Sequence, residues 1–415
     1  MDLISTHNGV FTEYLQPVFD ERAEEVKPFV EWYFHSPRDS FITALLPMLK
    51  NKINTFLPQV ANYPQLLSHF MHQLMIFDNE IRETWNYVPY LRPRDEWKGL
   101  SWEVLAKEAW FDRWLQVEKD FALARYKEII DSPESGQLEY DGVEISATKP
   151  TKAAIRVNDL LETITERYQP LSSFSQKLRF LIDIQITILD QFHERLHSAL
   201  EAYLAMTSTI GRTVKSSDEQ ANVEGIAGLE RLCRIFGSAE YLEKKMQDWG
   251  DDVFFVELWS ELQTRIQRKE NNGEKVAGAM SVTDVASRTS SAVVDAKSNE
   301  QGTFADGALF DETASAYRRL RLRSENVLVN KLRSDMLSAL RPYSLTSSWT
   351  TLSSSFDGGV ASTDASAFDP SSDLAPAVRT LSASTSFLAR ALGTAPLRRV
   401  TRQLGPFGSL HLSRA

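Results

Sequence analysis

Cysteine and long hydrophobic runs are both scarce in this chain of 415 residues. The single cysteine, Cys233, excludes a disulfide bond within the chain and favours a reducing compartment. No stretch reaches the roughly 18 uncharged apolar residues that a membrane-spanning helix needs. The first residues also lack the basic and then apolar pattern of a signal peptide. We therefore predict a cytoplasmic protein without a transmembrane segment.

A broad basic surface and the common cofactor motifs are missing as well. Acids outnumber bases by 56 to 46, which argues against a nucleic-acid partner. After Asp373 the charged residues are all basic, a pattern that favours an ordinary solvated helix face over a lipid-binding one. Gly273 and Gly278 have the spacing of a phosphate-binding loop, but Ala279 and Met280 replace the required Lys and Ser or Thr. The sequence thus predicts no cofactor and no nucleic-acid binding.

Apolar residues recur at intervals of three and four along most of the chain, a pattern typical of amphipathic helices. The pattern is clearest at 65–85, 151–168 and 173–209, and it continues at 309–340 and 374–392. A helix over 173–209 would run roughly 55 Å, a length that suits bundles and elongated helical rods. We therefore predict an all-α fold, an elongated rod of stacked helical bundles.

Local signals predict where individual helices begin and end. Ser101 is placed as the N-cap of a helix that starts at Trp102. The apolar pattern that comes after the long segment at 173–209 divides into one helix at 224–236 and another at 238–268. Proline lacks an N–H and clashes with the preceding turn, so six prolines between residues 11 and 64 are each expected to begin or end a helix. These prolines are Pro17, Pro28, Pro37, Pro47, Pro58 and Pro64.

Shifts in composition divide the chain into successive segments. The sequence becomes polar after the predicted helix that contains Trp102, Trp110 and Trp114. It becomes rich in Ser, Ala, Gly and Asn after residue 268. The predicted segments are a helical bundle at 1–133, a loop at 134–150, a bundle with long helices at 151–268, a low-complexity linker at 269–308, an incomplete C-terminal helical bundle at 309–404 and a tail at 405–415.

One motif points to chemistry. His193, Glu194 and His197 match the His-Glu-x-x-His pattern, in which two imidazoles one helical turn apart bind zinc and the glutamate is a general base. The surrounding apolar pattern places His193 at the margin of the buried face and His197 farther round. A third protein ligand is also required, and Glu219 downstream lies in a polar stretch. A zinc-dependent hydrolase therefore stays an alternative to a protein without catalytic residues.

Three segments, in order, resemble a known family. They are SHFMHQLMIFDNEIRE at 68–83, AWFDRWLQVEKDFALARYKEII at 109–130 and TERYQPLSSFSQKLRFLIDIQITIL at 165–189. Together they are similar to the RINT/TIP-twenty family of vesicle-tethering subunits, which includes the RAD-fifty interactor of animals and its fungal counterpart. The signature residues of this resemblance are Phe77, Asp78, Trp114, Glu118, Arg167, Tyr168, Pro170 and Leu171.

The resemblance implies a non-enzymatic subunit of a Dsl/NRZ-type tethering complex that acts in retrograde transport from the Golgi to the endoplasmic reticulum (ER). It implies sister tether subunits and ER SNARE proteins as partners, and indirect contact with COPI vesicles. It also implies peripheral association, through those partners, with the cytosolic face of the ER membrane. The architecture would be that of an exocyst-like tether, and the chain would be truncated at both ends. The signature residues would have a structural role. A helical scaffold of another trafficking complex remains an alternative.

Overall fold

The computed structural model describes residues 2–26, 36–89, 97–208, 224–268, 275–277, 280–281, 308–345 and 374–404. Over these ranges the chain is helical apart from loops, an isolated bridge between Leu138 and Thr151, and a small antiparallel hairpin. The hairpin pairs β1, Lys275–Ala277, with β2, Met280–Ser281. The prediction of an all-α fold is confirmed.

The helices are numbered here in chain order. They are α1 (Asp2–Thr6), α2 (Gln16–Val26), α3 (Pro37–Val60), α4 (Pro64–Asn79), α5 (Leu100–Leu105), α6 (Glu108–Asp131), α7 (Lys152–Tyr168), α8 (Phe174–Phe180), α9 (Thr187–Thr207), α10 (Gly225–Gly250), α11 (Val253–Arg268), α12 (Asp311–Ser344), α13 (Ala375–Ala391) and α14 (Thr394–Gln403). Wider π-helical turns precede α2 at Val10–Leu15, follow α4 at Glu80–Thr84 and join α8 to α9 at Leu181–Ile186.

The described helices belong to two compact units. Unit 1 comprises Met1–Lys127, Leu160–Thr187 and Ser260–Val285. Unit 2 comprises Glu128–Asp159, Ile188–Trp259 and Ala286–Ala415. Each unit has a core of its own.

The core of unit 1 is rich in aromatic side chains. Ile42 and Ile81 pack with Trp85 in one buried cluster. In a second group, the rings of Trp114 and Phe180 lie with their centroids 4.8 Å apart, and both side chains are buried. Aromatic residues bury a large apolar area for few rotatable bonds, so these groups fix the positions of the surrounding helices.

The core of unit 2 lies largely between α10 and α12. Both helices bury a stripe at helical spacing, which includes Leu229, Leu232 and Phe236 on α10 and Leu320 on α12. Cys233 belongs to the same stripe, and burial raises the pKa of its thiol. Since the thiolate is the reactive form, Cys233 acts as a small apolar residue in this core.

The break expected near residue 237 is wrong, because α10 runs through it from Gly225 to Gly250. Gly237 instead meets the loop before α7, where a Cβ atom on Gly237 would overlap the carbonyl oxygen of Lys149. Glycine at this position permits close packing and does not end the helix. The helix ends before Asp251, and α11 follows two residues later.

The expectations for the helix starts are confirmed only in part. Pro37 and Pro64 begin α3 and α4 as expected, and Pro28 lies outside the described residues. Pro47 and Pro58, however, lie inside α3. An internal proline removes one helical hydrogen bond, and the burial of Ile42, Leu57 and Val60 on α3 offsets this loss.

The helix expected from Trp102 to near Asp131 is divided into α5 and α6, and the remaining expected helices agree with the structure to within a few residues. The long pattern at 173–209 forms α8, the π-helical turns and α9 without a break. Two short helices were not expected, α1 with 5 residues and α14 with 10. The linker predicted at 269–308 lies outside the described residues apart from the β hairpin and Ala308. The tail predicted at 405–415 lies outside them entirely.

Candidate functional site

The signature residues all lie in unit 1, although they come from distant parts of the sequence. Asp78 is the most buried charged residue among them, with 2% of its surface exposed. Its carboxylate accepts hydrogen bonds from the backbone N–H groups of Leu100 at 2.9 Å and Ser101 at 2.7 Å. Asp78 thus satisfies N–H groups at the start of α5, which begins after Gly99. Ser101 was expected to be the N-cap, but it lies inside the helix.

Burial and hydrogen bonding act on the Asp78 carboxyl in opposite directions. Burial is the larger effect and raises its pKa, while the hydrogen bonds from Ser101 and Leu100 lower it. Phe77, the preceding residue, is half-buried and packs against the cluster that contains Ile42 and Ile81. The Phe-Asp pair therefore joins the end of α4 both to a core cluster and to the start of α5.

Trp114 and Glu118 form a second signature pair, one turn apart on α6. The indole Nε1 of Trp114 donates to Oε1 of Glu118 at 3.0 Å. The hydroxyl of Ser68, on α4, donates to the same oxygen at 2.6 Å. A carboxylate that accepts from both helices links α4 to α6 through charge-assisted hydrogen bonds.

Tyr168 ends α7 and is fully buried, which raises the pKa of its phenol. Its hydroxyl donates to Oε1 of Gln185 at 2.6 Å. The amide nitrogen of Gln185 donates in turn to the carbonyl of Leu161 at 3.0 Å and to Oγ1 of Thr165 at 2.6 Å. Gln185 was not among the expected site residues. The signal for it was a polar residue inside the apolar run at 180–189.

The turn after α7 carries the remaining signature residues. Leu171 is buried, and Pro170 and Arg167 are half-buried. Burial lowers the pKa of His72, and the charge of Arg167 lowers it further. Pro170 and Leu171 also line a surface cavity of about 560 Å³. The other lining residues are Asn79, Arg82, Glu83, Trp97, Lys98, Gln169, Ser172 and Lys177.

The two histidines of the zinc motif lie one turn apart on α9, with ring centroids 6.3 Å apart. Tyr317 meets His193 edge to face at 5.2 Å. Nε2 of His197 lies 3.5 Å from Oε1 of Glu201 and 3.4 Å from a guanidinium nitrogen of Arg323. The arginine cation disfavours a second cation beside His197. Within the described ranges, no three His, Cys, Asp or Glu residues are grouped to hold a metal ion.

Unit 2 contains a network of charged side chains that the sequence did not predict. Nε of Arg321 lies 2.6 Å from Oε2 of Glu243, and both side chains are largely buried. Glu325 is 3.8 Å from Arg321 and accepts from Nε of Arg399 at 3.1 Å. This network joins α10, α12 and α14, and it lies beside a second cavity of about 760 Å³. Burial raises the pKa of Glu240 on the same wall.

Among the described helices, none combines the length and the hydrophobicity needed to span a lipid bilayer. The features of the described residues are therefore buried polar links, two surface cavities and exposed helix faces. A fold with these features belongs to the class of all-α proteins built from packed helices.

The comparisons with known proteins agree with this class. Residues 1–406 match the sequence model of the RINT-1/TIP-1 family. Protein transport protein tip20 of Schizosaccharomyces pombe is 22% identical over 244 residues, which are 59% of this chain and 34% of that protein. The RINT1-like protein of Drosophila melanogaster is 23% identical over 228 residues, which are 54% of this chain and 26% of that protein.

A solved structure has the same fold. It is the structure of the SNARE Sec20 bound to the Dsl1 complex subunit Tip20, and it aligns with a TM-score of 0.55 at 14% sequence identity. The alignment covers 97% of this chain and 59% of the solved one. The chain belongs to the RINT-1/TIP-1 family. The matches span less than two thirds of the length of these relatives.

Proposed function

We propose that this chain is a non-enzymatic subunit of a tethering complex that acts in retrograde transport from the Golgi to the ER. In this role it binds ER SNARE proteins and sister subunits of a Dsl/NRZ-type complex, and it contacts COPI vesicles through those partners. It associates peripherally with the cytosolic face of the ER membrane. The observation that carries the proposal is the family match over residues 1–406.

The arrangement of the signature residues supports a binding role over a catalytic one. Asp78, Glu118 and Tyr168 are occupied by hydrogen bonds to neighbouring parts of unit 1. A general acid or base must instead reach a bound substrate. We therefore propose that the signature residues hold unit 1 in the shape that its partners bind.

Affinity purification of the tagged chain from cells, after mild cross-linking, tests the proposal. Mass spectrometry should recover ER SNAREs and sister tether subunits, with SNAREs of endosomes and the plasma membrane as the comparison set. A tagged Asp78→Ala chain is the second bait, because it should lose partners if the shape of unit 1 is what they recognise. Equal recovery of all SNARE classes, or partners from a different trafficking complex alone, would refute the assignment.

A further inference from the structure

The cavity in unit 1 is built by two signature segments that lie far apart in sequence. Asn79, Arg82 and Glu83 directly follow the Phe-Asp pair at the end of α4. Pro170 and its neighbours come from the signature turn after α7. Lys98 lies just before the N-terminus of α5 that Asp78 holds. Residues next to two signature motifs therefore shape one surface depression, and Pro170 and Leu171 are the signature residues that line it.

The charged residues in the described lining of this cavity are mostly basic. Among the described lining residues, three are basic, Arg82, Lys98 and Lys177, and one is acidic, Glu83. This excess of positive charge stands out in a chain whose net charge is −10. Side chains of one sign around a concave surface attract ligands of the opposite sign and orient them on approach.

Several of these groups are held in place. Arg82 donates to Oδ1 of Asn79 and to the carbonyl of Lys98, each at 3.2 Å. A guanidinium has five N–H donors, so these two contacts do not exhaust it. Ser172 donates to the same Lys98 carbonyl at 3.2 Å, which ties the turn after α7 to the residue before Gly99. The ammonium of Lys98 lies 4.9 Å from the ring centroid of Trp102.

We propose that this cavity is a docking site for an acidic segment of a protein partner. Carboxylates of the segment pair with Arg82 and Lys98, and Lys177 adds to the positive potential of the cavity. An apolar side chain beside them packs on Trp97 and Pro170. The volume of about 560 Å³ holds a few side chains. An acidic protein segment fits better than a membrane surface, because the charges line a depression and a bilayer is flat. The inference rests on the proposed function, in which the chain works by binding proteins.

Charge reversal tests the proposal on the full chain. The test variant combines Lys98→Glu with Lys177→Glu. If this double variant is unstable, Lys98→Glu alone is used in its place. The matched control is Lys52→Glu with Lys127→Glu, two exposed lysines of unit 1 outside the cavity, so that the net charge changes equally. Circular dichroism checks that each variant is folded.

The probe is a fluorescein-labelled peptide of repeated Glu-Leu pairs, followed by fluorescence anisotropy. The wild type and the control should bind it with equal affinity, and the double variant about tenfold more weakly, with Lys98→Glu alone in between. A Gln-Leu peptide should bind far more weakly, and added salt should weaken the Glu-Leu complex. Equal affinities of the double variant and the control would overturn the proposal. Binding of anionic vesicles, but not of the peptide, in a Lys98-dependent manner would also overturn it.

Co-purification of SNAREs and sister subunits separates this inference from the proposed function. If the wild type recovers them and the cavity variant recovers them equally well, the cavity inference is wrong and the proposed function stands. If the wild type recovers none while peptide binding still depends on Lys98, the proposed function fails and the docking site stands.

Discussion

The carboxylate of Asp78 lies directly against the α-carbon of Gly99, so closely that a Cβ atom on residue 99 would overlap it. Gly99 also has a φ of 97°, a conformation that L side chains rarely adopt. Both features follow from one requirement, since the backbone must turn sharply to direct the N–H groups of Leu100 and Ser101 at the same carboxylate. Glycine at position 99 therefore permits the close approach of Asp78.

Gly99→Ala should destabilise unit 1 by about 2 kcal/mol or more, because it combines backbone strain with overlap on Asp78. Combining it with Asp78→Ala should cost less than the sum of the two single changes, because removing the carboxylate relieves the overlap. Urea unfolding monitored by circular dichroism measures the four states of this cycle. Gly9→Ala is the control, since a Cβ atom there meets nothing closer than 4.0 Å. Strict additivity would contradict the direct contact.

The link between Ser68, Trp114 and Glu118 should appear as coupling in a second cycle. Ser68→Ala should cost about 1 kcal/mol in the wild type and clearly less when Glu118→Ala has already removed the acceptor. The comparison is the cycle of Gln116→Ala and Asp120→Ala. The hydrogen bond from Gln116 to Asp120, 2.8 Å long, lies on the same helix and is exposed. If the coupling of the Ser68 and Glu118 variants were no larger than in this exposed pair, the carboxylate would not hold α4 to α6.

Helix positions that follow from local spacing were predictable from the sequence, and α7 is an example. Its apolar residues recur at helical period within one segment, so no distant contact is needed to recognise it. The division expected between residues 236 and 238 was wrong, because the role of Gly237 depends on the approach of Lys149 from another part of unit 2. Ser101 was assigned by a local capping rule, while the actual acceptor, Asp78, is 23 residues away.

The same limit applies to the sites. The motif of His193 and His197 is local, but its surroundings come from Tyr317 and Arg323 on α12, more than a hundred residues further along the chain. The cavity in unit 1 likewise requires tertiary contacts. The sequence named Pro170 and Leu171, yet it gave no indication that Lys98 would lie opposite them.

In unit 2, removing one member of the buried ion pair should be far more costly than removing an exposed one. Glu243→Ala leaves Arg321 without its nearest carboxylate, and we expect a loss of about 3 kcal/mol in the free energy of unfolding. Glu230→Ala, which breaks the more exposed pair with Arg234 on the same helix, should cost at most about 1 kcal/mol. Replacing both Glu243 and Arg321 by leucine should cost less than Glu243→Ala. Similar losses for the Glu243 and Glu230 variants in chemical unfolding would contradict a structural role for the network.

His193 should make unit 2 less stable in acid. Burial lowers its pKa from the ordinary value of 6.5, with a partly compensating backbone hydrogen bond at Ala316. The unfolded chain therefore takes up a proton at His193 more readily than the folded chain does. The contribution of neutral His193 to the free energy of unfolding is present above about pH 6.5 and is lost as the pH falls. His193→Gln cannot be protonated and should lose less stability than the wild type between about pH 7 and about pH 5. His7→Gln is the control, and parallel profiles for the wild type and His193→Gln would contradict the prediction.

The central claim is that this chain works by binding other proteins, and direct measurement of one binary complex tests it. The purified chain and the cytosolic domain of a Sec20-type SNARE should elute together from a sizing column, with light scattering giving the mass of one copy of each. The cytosolic domain of a plasma-membrane SNARE, tested in parallel, should elute separately. If the chain and the Sec20-type domain stay separate at the highest concentrations that remain soluble, the account is contradicted.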